Sequence, residues 1–334
     1  MWVTWGISLV VLAALGWFFR SELGFIAEGL RRLRDARPLP VVLVVVCAFG
    51  AIGAMSEVMR QLIRAGQVPV PFRETTAITL ASNSWSATLP AGPAFAALLT
   101  FQVQRSWGAS VALSGYFMFL SSIVSTMWLA IIGLAGVFFL NADMALGSLV
   151  AAVALMVAAT GAIFWVTSHP DTIERWLRKQ HLLRGEVLDR VITEVDMLRQ
   201  VHLTRPAFAR VAGFSLTHRL LDLTTLWASV WAVSDAMPLL RAQENATTMA
   251  GVALAYLAAK LAGSAQVTPA GLGTVEAALI APLVMTGMTA ADATSAALIY
   301  RLISFALVTI VGWIIYVWHY ARRGLTYAAV NRRS

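Results

Sequence analysis

Thr268-Pro269-Ala270-Gly271-Leu272-Gly273-Thr274-Val275-Glu276 interrupts an apolar segment running from 246 to 286, and Leu89-Pro90-Ala91-Gly92-Pro93 interrupts another running from 76 to 104. Proline removes a backbone donor and its ring collides with the preceding turn, while glycine weakens a helix interior, so both stretches predict helix breaks inside apolar runs. The two breaks are related. At an offset of 179 residues, that from Pro90 to Pro269, Pro90-Ala91-Gly92 aligns with Pro269-Ala270-Gly271 and Gly108 aligns with Gly287 without a gap. A long apolar span follows each aligned glycine, which reads as an internal repeat.

Around these breaks the chain is apolar throughout. Of 334 residues 59% are hydrophobic and 13% charged, with a mean hydropathy of +0.73, against roughly 25% charged for ordinary soluble domains. Crossing a bilayer takes roughly 20 helical residues. Apolar segments approaching or exceeding that length occur at 1–19, 38–59, 76–104, 111–139, 144–167, 210–235, 246–286 and 290–320. The first, Trp2 to Phe19, has no basic n-region and no small-residue cleavage site after it, so it reads as a span rather than a signal peptide.

Charge sets the expected topology. The stretch from His169 to Arg210 holds eight Lys or Arg, and the tail holds Arg322, Arg323, Arg332 and Arg333, which places both in the cytoplasm. If both broken segments are re-entrant, the first opens from the cytoplasm and the second from outside. The expected fold is therefore an all-α polytopic membrane protein, one transmembrane domain over 1–334 with about six full spans plus two re-entrant helical hairpins in an inverted repeat. Repeat 1 covers 38–139 with hairpin 76–104, and repeat 2 covers 210–320 with hairpin 246–286. Residues 168–205 form a cytoplasmic amphipathic loop, and 144–167 connects the repeats. Broken helices meeting at mid-membrane are a transporter plan, because irregular backbone at that depth must line a cavity or be buried in protein. Arg31, Arg32, Arg34 and Arg37 fall outside in this arrangement, against the positive-inside tendency; a full crossing by 76–104 would move them inside. Leu23, Phe25, Ile26, Leu30 and Leu33 sit near helical spacing, as in an interfacial amphipathic helix.

Several chemistries are disfavoured. Cys47 is the single cysteine and lies in an apolar run, so it reads as a packing residue, and the five histidines include no HExxH motif or i, i+4 pair. No metal and no cofactor is expected. The formal charge of +8 comes from loops flanking apolar spans, which points to anionic lipid headgroups as partners rather than nucleic acid.

Ionisable residues inside spans are costly and so are functional candidates: Glu57, His218, Arg219, Asp222, Lys260, Glu276 and Arg301. Glu276 follows the second break, where it serves either as a cap on the restarting helix or as a carboxylate paired to a buried arginine, or exchanging a proton, beside a substrate cavity. Arg301 lies deep in the last span, either paired with Glu276 or offering a planar fork to a phosphate. Arg219 and Asp222 are spaced i, i+3 and are placed to neutralise each other or to meet a ligand. His218 reads as a core histidine or a ligand contact, and Lys260 as a third cation for an anionic headgroup. Asn83, Ser84, Ser86 and Thr88 before one break, and Ser264, Gln266 and Thr268 before the other, either satisfy freed backbone groups or contact headgroup oxygens. Glu57, Arg60 and Arg64 follow one helix edge as an interfacial charge cluster. Pro90, Gly92, Pro269, Gly271 and Gly273 are the break residues expected to gate.

The run Pro269-Ala-Gly-Leu-Gly-Thr-Val-Glu276, with Ile299-Tyr300-Arg301 downstream, resembles the P-x-G-x-G-x-x-E and arginine of the lysylphosphatidylglycerol synthase transmembrane-region family. Asn83 before Leu89-Pro90-Ala91-Gly92 is similar to its earlier break, except that Pro93-Ala94-Phe95-Ala96 stands where an acidic-arginine pair is common. No role of that pair is carried over. The resemblance covers nearly the whole chain and implies lipid handling: a flippase in the inner (plasma) membrane moving an anionic or modified phospholipid or a lipid-linked sugar between leaflets. Arg301, Arg219 and Lys260 would then receive the phosphate. The soluble aminoacyl-transferase domain of the fused synthases is not found in these residues, so lipid aminoacylation is not implied. An integral-membrane transferase using a polyprenyl-phosphate donor, with Glu276 or Asp222 as base, is a second reading. A non-catalytic partner of an envelope-assembly or lipid-synthesis enzyme is a third.

Overall fold

A computed structural model describes residues 23–89, 91–140, 203–234, 236–239, 246–265 and 271–321, with isolated positions between 147 and 161. These residues are almost wholly helical. The helices are α1 (Leu23–Asp35), α2 (Pro38–Ala65), α3 (Phe72–Thr88), α4 (Gly92–Ser106), α5 (Val111–Leu140), α6 (Arg205–Val233), α7 (Met249–Ala265), α8 (Thr274–Met285) and α9 (Ala290–Tyr320). Three of them, α2, α5 and α9, are long and apolar enough to cross a membrane. α6 matches them at 29 residues but carries His218, Arg219 and Asp222 through its middle. The expected spans at 1–19 and 144–167 and the loop at 168–205 lie outside the described residues, apart from isolated helical positions and the start of α6.

Both interrupted segments are pairs of helices. Leu89 ends α3 in an extended conformation (φ −89°, ψ 146°), as the residue before a proline must, and Ala91 takes a left-handed φ of 52° before α4 begins at Gly92. α3 and α4 fold back against one another. Gly92 is required there, because a Cβ would collide with the carbonyl oxygens of Ser86 and Trp85. α7 and α8 pair in the same way, with Gly271 (φ 66°) and Gly273 (φ 80°) in conformations that favour glycine. Pro90, Pro269 and Ala270 lie outside the described residues. The first pair begins at Phe72, four residues ahead of the sequence expectation, because Pro71 supplies the extended N-cap.

The aligned glycines end matching helices in matching turns. Gly108 (φ 93°) closes α4 with Ala109 N–H donating to Gln104 O at 3.1 Å; Gly287 (φ 115°) closes α8 with Met288 N–H donating to Leu283 O at 3.1 Å. Each is a six-to-one Schellman turn at the register set by the 179-residue offset.

α2 and α6 form the most extensive contact and run antiparallel. Arg37 N–H donates to Ala232 O at 3.0 Å at one end, and His218 Nδ1 meets Ala51 O at 2.9 Å further along. α3 packs on the second half of α9, where Gly312 has no room for a Cβ against Leu80 O and Ser84 Oγ. α7 packs on α5 and α8 on the first half of α9. α1 is the short amphipathic helix expected, with Leu33 packed against the apolar cluster that includes Val44 and Ile303 and with Glu28 paired to Arg31 and Arg32.

Candidate functional site

Two ionic networks and one cavity surround α6. Asp222 is 8% exposed and is held on both oxygens. Tyr256 of α7 donates to Oδ2 at 3.1 Å, Tyr300 of α9 donates to Oδ1 at 3.0 Å, and Lys260 forms an ion pair with Oδ2. Lys260 sits one turn beyond Tyr256, above its ring at 5.2 Å, and its Nζ is 3.4 Å from Tyr300 Oη. Three helices are thereby tied at one carboxylate. The partly buried ammonium and the buried carboxylate offset each other's desolvation.

The second network joins α8 to α9. Glu276 combines the cap with an arginine pair: Oε2 accepts Gly273 N–H at 2.7 Å at the start of the helix, and Oε1 accepts Arg301 Nε at 2.7 Å. Arg301 is 6% exposed and stacks on Phe305 at 4.1 Å, at the start of a π-helical stretch, Leu302–Leu307. Tyr300 and Arg301 are consecutive, so the networks meet on α9.

Arg219 and Asp222 do not pair. The competing ammonium of Lys260 takes the carboxylate, and Arg219 Nε donates instead to Ser125 O of α5 at 3.2 Å. Arg219 has no carboxylate partner among the described residues. It lines, with His218, an open cavity of about 470 Å³ walled by α2, α3, α4, α5 and α6. Asn83 and Ser86 also line it, whereas Ser84 and Thr88 turn away: Ser84 Oγ donates to Thr309 O at 2.8 Å, and Thr88 Oγ1 accepts Trp313 Nε1–H at 3.2 Å. Ser264 Oγ donates to Leu261 O at 2.7 Å within its own helix, satisfying a backbone carbonyl. Gln266 and Thr268 lie outside the described residues.

The three cations named from sequence therefore divide. Arg301 and Lys260 hold helices together through carboxylates, and Arg219 faces open volume. Glu57 pairs with Arg60 at 2.6 Å and accepts from Gln61 at the far end of α2. Cys47 is buried as a packing residue. No cluster of three or more metal-ligating side chains occurs among the described residues. Sequence reading missed Tyr256 and Tyr300, although Tyr256 precedes Lys260 by one helical turn and Tyr300 adjoins Arg301. It also missed the cavity serines Ser121 and Ser125, whose i, i+4 spacing put them on one face of α5.

A family model for the lysylphosphatidylglycerol synthase transmembrane region matches residues 5–312. The chain belongs to that family. Membership covers both broken helix pairs, the cavity and the Glu276–Arg301 pair, and it makes the chain an integral membrane protein tied to lipid or envelope metabolism. No curated protein matches the chain.

Proposed function

We propose that this family member moves a lipid with an anionic or modified headgroup, a phospholipid or a lipid-linked sugar, between membrane leaflets. The observation that carries this is the cavity beside the first helix break, where the guanidinium of Arg219 lines open volume without a carboxylate among the described residues. Guanidinium offers several donors in a plane that suits phosphate oxygens. The carboxylates that a transferase would use as base are engaged: Asp222 accepts from three groups and Glu276 from two.

The repeat supports alternating access. Matching Schellman turns at the 179-residue offset, the antiparallel contact of α2 with α6, and the packing of α3 on α9 alongside that of α7 on α5 are what an inverted pair of span–hairpin–span units requires. On this reading α3–α4 and α7–α8 are re-entrant hairpins opening to opposite sides, within about six full spans. The protein sits in the inner (plasma) membrane with its C-terminus in the cytoplasm, as the basic tail directs.

The test is lipid translocation in proteoliposomes. Arg219→Ala should lower the rate for an anionic lipid by about tenfold or more, the scale of a lost hydrogen bond to a charged group, with unfolding unchanged. Full translocation in that variant would remove Arg219 from the transport path.

A further inference from the structure

The cavity wall carries chemistry beyond its one cation. Ser82 Oγ donates to Thr79 O at 3.1 Å, Asn83 Nδ2 donates to the same carbonyl at 3.1 Å, and Ser121 Oγ donates to Met118 O at 3.3 Å. All three residues line the cavity. Each directs a proton into its own helix, which leaves lone pairs on the two hydroxyls and on Asn83 Oδ1 and the second Nδ2–H of Asn83, while Ser86, Thr100 and Ser125 add hydroxyls that donate or accept. His218 adds to this set. Its Nδ1 faces Ala51 O at 2.9 Å and must carry the proton there, which leaves Nε2 as an acceptor in the uncharged ring. The wall is thus a ring of neutral hydroxyl, amide and imidazole groups around a guanidinium, and an occupant that satisfies it brings an anion for Arg219 and uncharged groups that both donate and accept for the rest.

Two kinds of headgroup carry donors: ammonium and hydroxyl. An ammonium would lie within the same roughly 470 Å³ as the guanidinium, with no carboxylate among the described lining residues to offset the repulsion or the desolvation. Hydroxyls bring donors without charge. Met55, Met59 and Phe117 supply an adaptable apolar side for the glycerol backbone or the first methylenes of a chain.

We propose that the cavity selects a singly anionic phosphodiester whose headgroup is uncharged and hydroxylated, a glycerol or a sugar, over headgroups carrying an amine. This rests on the transport reading for its purpose, though the selectivity is a binding property. The full chain in nanodiscs of phosphatidylcholine is offered phosphatidylglycerol, a polyprenyl-phosphate-linked hexose, phosphatidylethanolamine or lysyl-phosphatidylglycerol, and binding is measured by native mass spectrometry. At least one hydroxylated lipid should bind about tenfold tighter than both amine-bearing lipids, and which of the two prevails identifies its source. Arg219→Ala should abolish the preference, and Arg219→Lys should restore part of it. Ser82→Ala and Ser121→Ala, which remove acceptors and leave the cation, should narrow the gap between the hydroxylated and amine-bearing lipids.

Equal or tighter binding of lysyl-phosphatidylglycerol or phosphatidylethanolamine overturns the inference, as does a preference that survives Arg219→Ala. Translocation is scored separately. A hydroxyl preference in a protein that translocates nothing would sustain this inference and sink the transport reading, whereas unselective translocation would do the reverse.

Discussion

The first helix pair, α3–α4, and the second, α7–α8, share a break, a terminal glycine turn and a following long helix, yet they are secured by different physics. The second is anchored by charge: Lys260 to Asp222, and Glu276 to Arg301. The first is anchored chiefly by proximity, with the backbone of α9 at Gly312 pressed on Leu80, neutral hydrogen bonds from Ser84 and Trp313, and a carboxylate contact, Glu74 to His319 Nε2 at 2.9 Å. Removing one partner of a buried ion pair costs several kcal/mol, whereas neutral hydrogen bonds contribute about 1 kcal/mol each. The cavity lies against the first pair. Of two helix pairs with the same outline, the second is therefore the fixed strut and the first the wall that is cheaper to displace.

Substitutions at the anchors test that division. Asp222→Ala should have the largest effect, about 3 kcal/mol in reversible unfolding in mixed micelles, because it strands the Lys260 ammonium and two tyrosine hydroxyls; a loss under 1 kcal/mol would deny the strut its anchor. Gly312→Ala should follow at about 2 kcal/mol, since the added carbon meets the Leu80 carbonyl and α3 must shift. It should also reduce translocation, which Asp222→Ala need not do beyond its loss of folded protein. Arg301→Gln should cost about 1.5 kcal/mol, because Glu276 keeps its contact to Gly273 N–H and so is not left wholly unsatisfied. Ser84→Ala should be smallest at about 1 kcal/mol. A smaller loss for Asp222→Ala than for Gly312→Ala, or for Arg301→Gln than for Ser84→Ala, would reverse the assignment of strut and wall.

Much of this was legible in the sequence, for identifiable reasons. Proline and glycine act locally, so both breaks and both aligned glycines could be read without knowing what surrounds them. Glu276 and Arg301 were legible as a pair because a break fixes the start of one helix and depth in a span forces the other residue to find a partner. Arg219 was not legible. Spacing along α6 offered Asp222 as its neighbour, but pairing is decided by which cation reaches the carboxylate from another helix, and Lys260 does. The cavity was equally hidden, since Ser121 and Asn83 come together only through the packing of α3, α4, α5 and α6. Helix boundaries shifted by a few residues where caps such as Pro71 and Thr204 lie outside the apolar run.

The π-helical stretch at Leu302–Leu307 gives the last span a broken phase. Each residue a wider turn inserts rotates everything downstream by about 100°. Tyr300 and Arg301 address the second helix pair while Gly312 and Trp313 address the first, and the wider turns between them set the angle between those two directions. The span works as a crankshaft with two throws, and any torsion taken up by those six residues would re-aim one throw while the other stayed still.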